Sequence, residues 1–150
     1  MPGKLTLYDG PAGSGKSQIV REAQAAGEID IVADLTQLWA AMTGAERGPD
    51  GKYPIRLDTD PVINTGMATY IRNVVVRQGL DSGLSVAVTS GTPGKEVQFA
   101  EIAASANAPF THYRIDPGEA VVRARLADAY GSLDPECDKA INRWYQWFTG

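Results

Sequence analysis

The feature that most constrains this chain is a short loop near its start. Residues 10–17 fill every position of the phosphate-binding pattern G-x-x-x-x-G-K-S, reading Gly10, Pro11, Ala12, Gly13, Ser14, Gly15, Lys16 and Ser17. The apolar run Leu5–Tyr8 before the loop has the composition of a strand, and Ser17–Ala26 after it has that of a helix. Glycines let successive backbone N–H groups point into one concavity, which the positive end of the helix also faces. Strand, loop and helix together predict a binding site for phosphate groups.

Two side chains of the loop have specific expected roles. Lys16 is expected to reach the β- and γ-phosphates of a nucleoside triphosphate such as ATP and so to take part in catalysis. Ser17 is expected to bind Mg²⁺ through its hydroxyl, because Mg²⁺ prefers hard oxygen ligands and is usually shared between protein and nucleotide. All residues from 10 to 17 are therefore candidate nucleotide-binding residues.

Composition and net charge limit the class of protein that carries this site. The chain has 150 residues, of which 43% are hydrophobic and 21% charged, as expected for one soluble globular domain spanning residues 1–150. Its net charge of −4 creates no global positive field, so a polynucleotide would have to be held by a local basic patch. The single cysteine, Cys137, excludes an internal disulfide and favours a reducing compartment. Because neither a membrane-spanning apolar run nor a leader segment is found, we expect a cytoplasmic protein without membrane contact.

Apolar runs alternate with helical patterns along the chain, which is typical of strands joined by helices into a parallel sheet. The patterns predict strands at Lys4–Asp9, Ile29–Asp34, Leu84–Thr89 and Thr111–Ile115. They predict helices after the loop and at about Leu35–Thr43, Thr65–Gly79 and Pro93–Asn107, with further helices beginning at Asp116-Pro117 and Asp134-Pro135. The predicted fold class is α/β, a three-layer α/β/α phosphate-loop fold with a mostly parallel sheet of four to five strands.

Local signals mark several of these boundaries. Thr92 and Asp116 are expected to cap helices, each before a proline, and Glu119 to complete a capping box with Asp116. The last helix carries an apolar stripe that includes Ile141 and Trp144, which we expect to pack on the sheet. The polar segments Thr43–Pro54 and Gly131–Pro135 are expected to be loops able to close over a ligand.

Asp34 is the main candidate for a catalytic carboxylate. The strand Leu84–Thr89 is followed by Ser-Gly, without the acidic residue that motor-type ATPases place there, whereas the second strand ends in Asp34. The carboxyl edge of a parallel sheet is where ligands bind. There Asp34 could accept the proton of an attacking hydroxyl or hold a magnesium-bound water. Aspartate is also a favoured helix cap, so Asp34 could instead cap the helix Leu35–Thr43, or serve both purposes.

Other polar residues are less specific. His112 lies in a β-like stretch with no second metal ligand beside it in sequence, and we interpret it as a strand histidine satisfied by its neighbours. Asp9 could accept backbone N–H bonds from the loop or contact Mg²⁺ through water. Five basic residues would form a cleft for a phosphate-bearing acceptor if they converge: Arg47, Lys52, Arg56, Arg72 and Arg77.

Taken together, the loop at residues 10–17, the stretch Asp34–Trp39 and the segment from Asp116 to Arg125 resemble the small P-loop kinases, most closely the polynucleotide-kinase-like branch. The resemblance implies that Asp34 activates the acceptor hydroxyl and that a lid helix brings Arg123 and Arg125 over the ATP phosphates. Arginine suits that task because its planar fork binds phosphate oxygens in pairs and stays charged. The chain departs from the branch at Gln37 and Leu38, where an arginine is often found, and in having a short lid segment.

The sequence therefore predicts an ATP- and Mg²⁺-dependent phosphotransferase acting on a nucleotide or a nucleic-acid 5′ end. Two alternatives remain open at this stage. One is a nucleoside triphosphatase that acts as an assembly or regulatory factor, with water as its phosphoryl acceptor. The other is a regulatory module that binds nucleotide without turnover.

Overall fold

The computed structural model describes residues 3–47, 62–130 and 135–149. The strands are β1 (Lys4–Asp9), β2 (Ile31–Ala33), β3 (Ser85–Ser90) and β4 (Phe110–Arg114). The helices are α1 (Lys16–Ala25), α2 (Leu35–Thr43), α3 (Thr69–Asp81), α4 (Glu96–Ser105), α5 (Glu119–Tyr130) and α6 (Pro135–Thr149). A π-helical segment, Val62–Ala68, leads directly into α3.

The strands form one parallel sheet in the order β2-β3-β1-β4. The central strand β1 is buried from Leu5 to Asp9, as expected for a parallel strand covered on both faces. In its register, Leu7 lies opposite Val88 of β3 and His112 of β4. This order brings the ends of β1 and β3 together at the carboxyl edge of the sheet.

Helices cover both faces of the sheet, because side chains alternate along each strand. On one face Leu5 and Leu7 pack with Val76 and Leu80 of α3 and with Phe99 of α4. On the opposite face, the residues that pack around α1 are Tyr8, Val20, Ile29 and Ala87. The predicted α/β fold, with three layers and a four-stranded parallel sheet, is confirmed for the described residues.

Two helices begin later than their sequence signals predict. Gly94 has a left-handed φ of 84°, so α4 begins only at Glu96. Thr92 does not cap this helix; its N–H donates to Ser90 Oγ in a local turn. Asp116 accepts the N–H of Gly118 in a turn that precedes α5, so it is not the cap of that helix. The expected capping box is also wrong, because the carboxylate of Glu119 accepts from Arg123 one turn later.

The last two helices pack mainly on each other. Ile141 of α6 is buried against Val122 and Leu126 of α5, with Ala12 of the phosphate-binding loop at the edge of this cluster. The C-terminal end of α6 reaches β4, where the Arg114 guanidinium lies 4.1 Å from the centre of the Phe148 ring. The apolar stripe of α6 therefore packs on α5 more than on the sheet, which corrects the prediction.

Parts of the predicted loops lie outside the described residues, among them 48–54, 131–134 and the basic residues Lys52 and Arg56. Within the described ranges, no helix combines the length and the apolar character needed to cross a bilayer.

Candidate functional site

The phosphate loop, Gly10–Ser17, connects the end of β1 to the start of α1. It is anchored to β3 by a 3.1 Å hydrogen bond from the Gly10 N–H to the Ser90 carbonyl oxygen. At Gly13 the backbone has a φ of 80°, and an added Cβ would lie 3.1 Å from the Val122 carbonyl oxygen. Only glycine accommodates both conditions, so α5 can pack directly against the loop.

Lys16 is the charged centre of the loop. Its Nζ donates to the carbonyl oxygens of Gly10 at 3.0 Å and Pro11 at 3.3 Å. Burial lowers the pKa of Lys16, while the carboxylates of Asp34 and Asp9 oppose this shift. A partly desolvated ammonium group inside a glycine-rich loop fits the binding of a polyphosphate. Ser17 lies exposed in the first turn of α1, so its hydroxyl is accessible to a ligand.

Asp34 lies between β2 and α2, where it has extended backbone geometry and caps the helix. Its Oδ1 accepts the Gln37 N–H at 3.0 Å, so the capping interpretation holds. Its Oδ2 accepts the Thr89 hydroxyl at 2.6 Å. These two bonds fix the carboxylate at the carboxyl edge of the sheet, close enough to Lys16 to influence its pKa. A role as base or metal ligand stays a prediction.

Thr89 is a site residue that the sequence analysis missed. It stands near the end of β3, where it is 8% exposed, and its hydroxyl joins β3 to the carboxylate that ends β2. One sequence signal could have pointed to it. The strand ends in the polar residues Thr89 and Ser90, at the place where motor-type ATPases have an acidic residue. We infer that the hydroxyl positions Asp34.

The two candidate lid arginines lie in different surroundings. Arg125 is exposed, and its Nη1 is 3.3 Å from the carbonyl oxygens of both Gly13 and Ser14 in the phosphate loop. Arg123 instead contacts Glu119 on its own helix and both Asp138 and Asn142 on α6. The structure thus brings Arg125, but not Arg123, beside the loop.

Asp9 and His112 meet across β1 and β4. Asp9 is fully buried, and its Oδ2 lies 3.1 Å from His112 Nε2, so the histidine is satisfied by a neighbour as predicted. Burial raises the pKa of Asp9, an effect that the contact with His112 partly offsets. The third nearby group is Glu96, in the first turn of α4.

The predicted basic cleft does not include Arg72. This residue is 5% exposed, and its guanidinium lies 4.9 Å from the centre of the Phe99 ring. Arg77 binds the Ser105 hydroxyl at the other end of α4. Arg72 therefore packs within the fold, so the condition that these basic residues converge on a cleft is not met for Arg72.

Comparison with known proteins identifies the class of fold. No protein-family model and no curated protein matches the chain. A candidate kinase from Chloroflexus aurantiacus J-10-fl superimposes with a TM-score of 0.69 at 12% identity, covering 94% of this chain and 78% of that one. A chain of the Pnkp1/Rnl/Hen1 RNA repair complex gives a TM-score of 0.66 at 14% identity, covering 95% of this chain and 44% of its own length. A gluconokinase from Sinorhizobium meliloti 1021 gives a TM-score of 0.54 at 18% identity, covering 94% of this chain and 71% of that chain.

These likenesses show that the chain has a P-loop kinase fold, which confirms the resemblance noted from its motifs. The chain spans less than half the length of the RNA repair protein that it matches. At these identities the shared feature is the fold, so the activity has to be argued from the site itself.

Proposed function

We propose that this protein is an ATP- and Mg²⁺-dependent phosphotransferase that phosphorylates a hydroxyl of a nucleotide or of a nucleic-acid 5′ end. One observation carries the proposal. A partly desolvated lysine in a glycine-rich loop lies within electrostatic range of a fixed carboxylate, Asp34, at the same edge of the sheet. Phosphoryl transfer requires this pair of functions, a cation for the phosphates and an acceptor for the proton of the attacking hydroxyl.

The phosphate-binding half of the site consists of the loop and α5. The N–H groups at the start of α1 lack intrahelical partners, as at any helix N-terminus, and can donate to phosphate oxygens. Lys16 Nζ can exchange its two carbonyl partners for phosphate oxygens, which bind an ammonium group more strongly. Arg125 is exposed and lies at the carbonyl oxygens of the loop, so we propose that its side chain turns from them to the outer phosphate when nucleotide binds.

Magnesium fits the oxygen donors at this edge. Ser17 and, directly or through water, Asp34 would hold the ion, which would neutralise charge on the β- and γ-phosphates. The chain's own contribution is to orient these oxygens. Thr89 and the Gln37 N–H fix Asp34, and the start of α1 fixes Ser17.

Asp34 is proposed as the base for the acceptor. The proton of the acceptor hydroxyl passes to a free lone pair of the Asp34 carboxylate as the hydroxyl oxygen forms its bond to the γ-phosphorus. The bond from that phosphorus to the bridging oxygen breaks, so ADP leaves. Both existing hydrogen bonds are donated to Asp34, so they fix the orientation of a group whose oxygens act as acceptors, as a base for the hydroxyl proton would.

An apolar groove supports a nucleotide-like acceptor. It is lined by Gly66, Met67, Tyr70 and Ile71, and it lies in the π-helical segment and the start of α3. That segment packs against α2, the helix that Asp34 caps. Tyr70 is 70% exposed and offers an aromatic face for a base to stack on. The net charge of −4 favours a mononucleotide or short end over long duplex DNA.

The test is transfer of label from γ-labelled ATP with Mg²⁺ to nucleosides, mononucleotides and a 5′-hydroxyl oligonucleotide. We expect labelled acceptor with the wild type and at least about a hundredfold less with Lys16→Ala. Lys4→Ala is the matched control, because Lys4 is an exposed lysine at the opposite end of β1 and should leave transfer unchanged. Absence of ATP turnover by the wild type would contradict the proposal.

A second candidate is a slow nucleoside triphosphatase that regulates a partner. The observation that favours it is that both Asp34 oxygens already accept hydrogen bonds, which is also the pattern of a purely structural cap. Label released only as inorganic phosphate, with every acceptor unlabelled, would support this candidate over the kinase.

A further inference from the structure

Three ligand-type side chains from three separate elements meet beside the end of β1. Asp9 comes from β1, Glu96 from the first turn of α4, and His112 from β4. One donor atom from each lies within 4.8 Å of the other two. The strand register explains the contact, because Asp9 and His112 project from neighbouring parallel strands toward the helix that covers them.

The cluster is incompletely satisfied by the described residues. Asp9 is fully buried, yet its Oδ1 has no hydrogen-bond partner among the described residues, and the same holds for the buried Oε2 of Glu96. Buried carboxylate oxygens are rarely left in this state, because desolvation of a charged acceptor is costly. A divalent cation would give both oxygens a partner and would offset part of the cost of burying two neighbouring carboxylates.

We infer that Asp9, Glu96 and His112 bind a divalent transition-metal ion with the ligand preference of Zn²⁺. The donor set is two carboxylates and one imidazole, and imidazole favours zinc-like ions over Mg²⁺ and Ca²⁺. This site is distinct from the magnesium position proposed at Ser17 and Asp34. It also does not depend on the proposed kinase activity.

The geometry fits such an ion after a small movement. Tetrahedral zinc with bonds near 2.1 Å separates its ligand atoms by about 3.4 Å. Asp9 Oδ2 and His112 Nε2 are already 3.1 Å apart. Rotation of the Glu96 side chain at the start of α4 would bring in the third ligand and leave the fourth position to water.

An ion can reach this site without unfolding of the chain. The His112 side chain is 23% exposed, and Glu96 is half-buried, whereas Asp9 forms the closed end of the cluster. The pattern of one deep ligand and two at the mouth is compatible with exchange of the ion with solvent.

The test is calorimetric titration of ZnCl₂ into chelator-treated protein without nucleotide. We expect one ion per chain, and an affinity reduced at least about tenfold by His112→Gln and by Glu96→Gln. Glu101→Gln, on an exposed position of α4, should bind as the wild type does. Cys137→Ser should also keep binding, since it removes the one thiol of the chain.

Two further measurements keep the result decisive. Circular dichroism confirms that each variant is folded, and zinc should raise the melting temperature of the wild type but not of folded His112→Gln. Equal heat from MgCl₂, or zinc affinity unchanged within about twofold in both ligand variants, would overturn the assignment. Absence of wild-type zinc binding would also overturn it, and a Glu96→Gln variant more stable than the wild type would then indicate a proton shared between the two carboxylates.

Discussion

The phosphate-loop side of the molecule and the α5–α6 pair hold their charged side chains by different means. At the loop, the partners of Lys16 are backbone carbonyl oxygens, and those of Asp34 are a backbone N–H and the Thr89 hydroxyl. In the helix pair, the partners of Arg123 include the carboxylates of Glu119 and Asp138. Uncharged partners leave the charge of a side chain available to a ligand, whereas pairing with carboxylates neutralises it.

If the proposed function is correct, this difference places the catalytic groups in the first region and stabilising contacts in the second. Arg125 is the exception, because it belongs to α5 but contacts the loop. Substitutions in the two regions should therefore separate turnover from stability.

The largest effect is expected for Asp34→Asn. Asparagine still caps α2, so the fold should persist, but the base is lost and turnover should fall about a hundredfold or more. Asp30→Asn is the control, because the Asp30 carboxylate also binds backbone, at the Ser85 N–H, but is exposed at the opposite end of the strands. Turnover of both variants is measured as steady-state phosphate transfer. Turnover of Asp34→Asn within about twofold of the wild type would show that Asp34 serves only as the cap of α2.

The regions also differ in how far they could be predicted. The phosphate loop, the four strands and the position of Asp34 follow from contiguous patterns, since each depends on residues close in sequence. β2 is shorter than predicted: at one end the Asp30 carboxylate accepts the Ser85 N–H, and at the other Asp34 caps α2, which leaves Ile31–Ala33 as the strand.

Features that depend on register or tertiary contact could not be predicted. Asp9, Glu96 and His112 meet only because β4 lies beside β1 and α4 crosses above them. Arg123 and Arg125 are two positions apart on one helix, and only the packing of α5 decides which faces the loop. The capping signals at Thr92 and Asp116 predicted helices nearby. Because of Gly94 and the turn at Asp116, α4 and α5 begin a few residues later than those signals indicate.

The second prediction compares the two arginines. Arg125→Ala should lower turnover about 10- to 100-fold with little change in melting temperature, because the lost group is exposed and is proposed to contact phosphate. Arg123→Ala should lower the free energy of unfolding by about 1 kcal/mol, since its ion pairs are partly exposed, and leave turnover within about twofold. The opposite pattern in the two variants would show that Arg123 closes over the nucleotide.

The third prediction concerns Thr89. Thr89→Val keeps the shape of the side chain but removes the hydroxyl that holds Asp34, which should lower turnover about tenfold. Thr89→Ser restores the hydroxyl and should recover activity to within about threefold. Thermal melts accompany the kinetics, because a merely structural effect of the lost hydroxyl would lower the melting temperature of the valine variant along with its activity. Equal activity of valine and serine variants would contradict a positioning role.

The smallest effect is expected for Tyr145→Phe in the α5–α6 region. Removal of the hydroxyl that donates to Asp116 at 2.7 Å should reduce the free energy of unfolding by about 1 kcal/mol and leave turnover unchanged. Burial and the Asp116 carboxylate raise the pKa of Tyr145 above its ordinary value of 10.0. A raised pKa means that this stabilisation is fully present below pH 10 and is lost only as the pH rises through the higher folded-state value. Chemical denaturation of wild type and variant at pH 7 and pH 9 should therefore give the same stability difference. A loss of turnover without a loss of stability would instead connect the helix pair to catalysis.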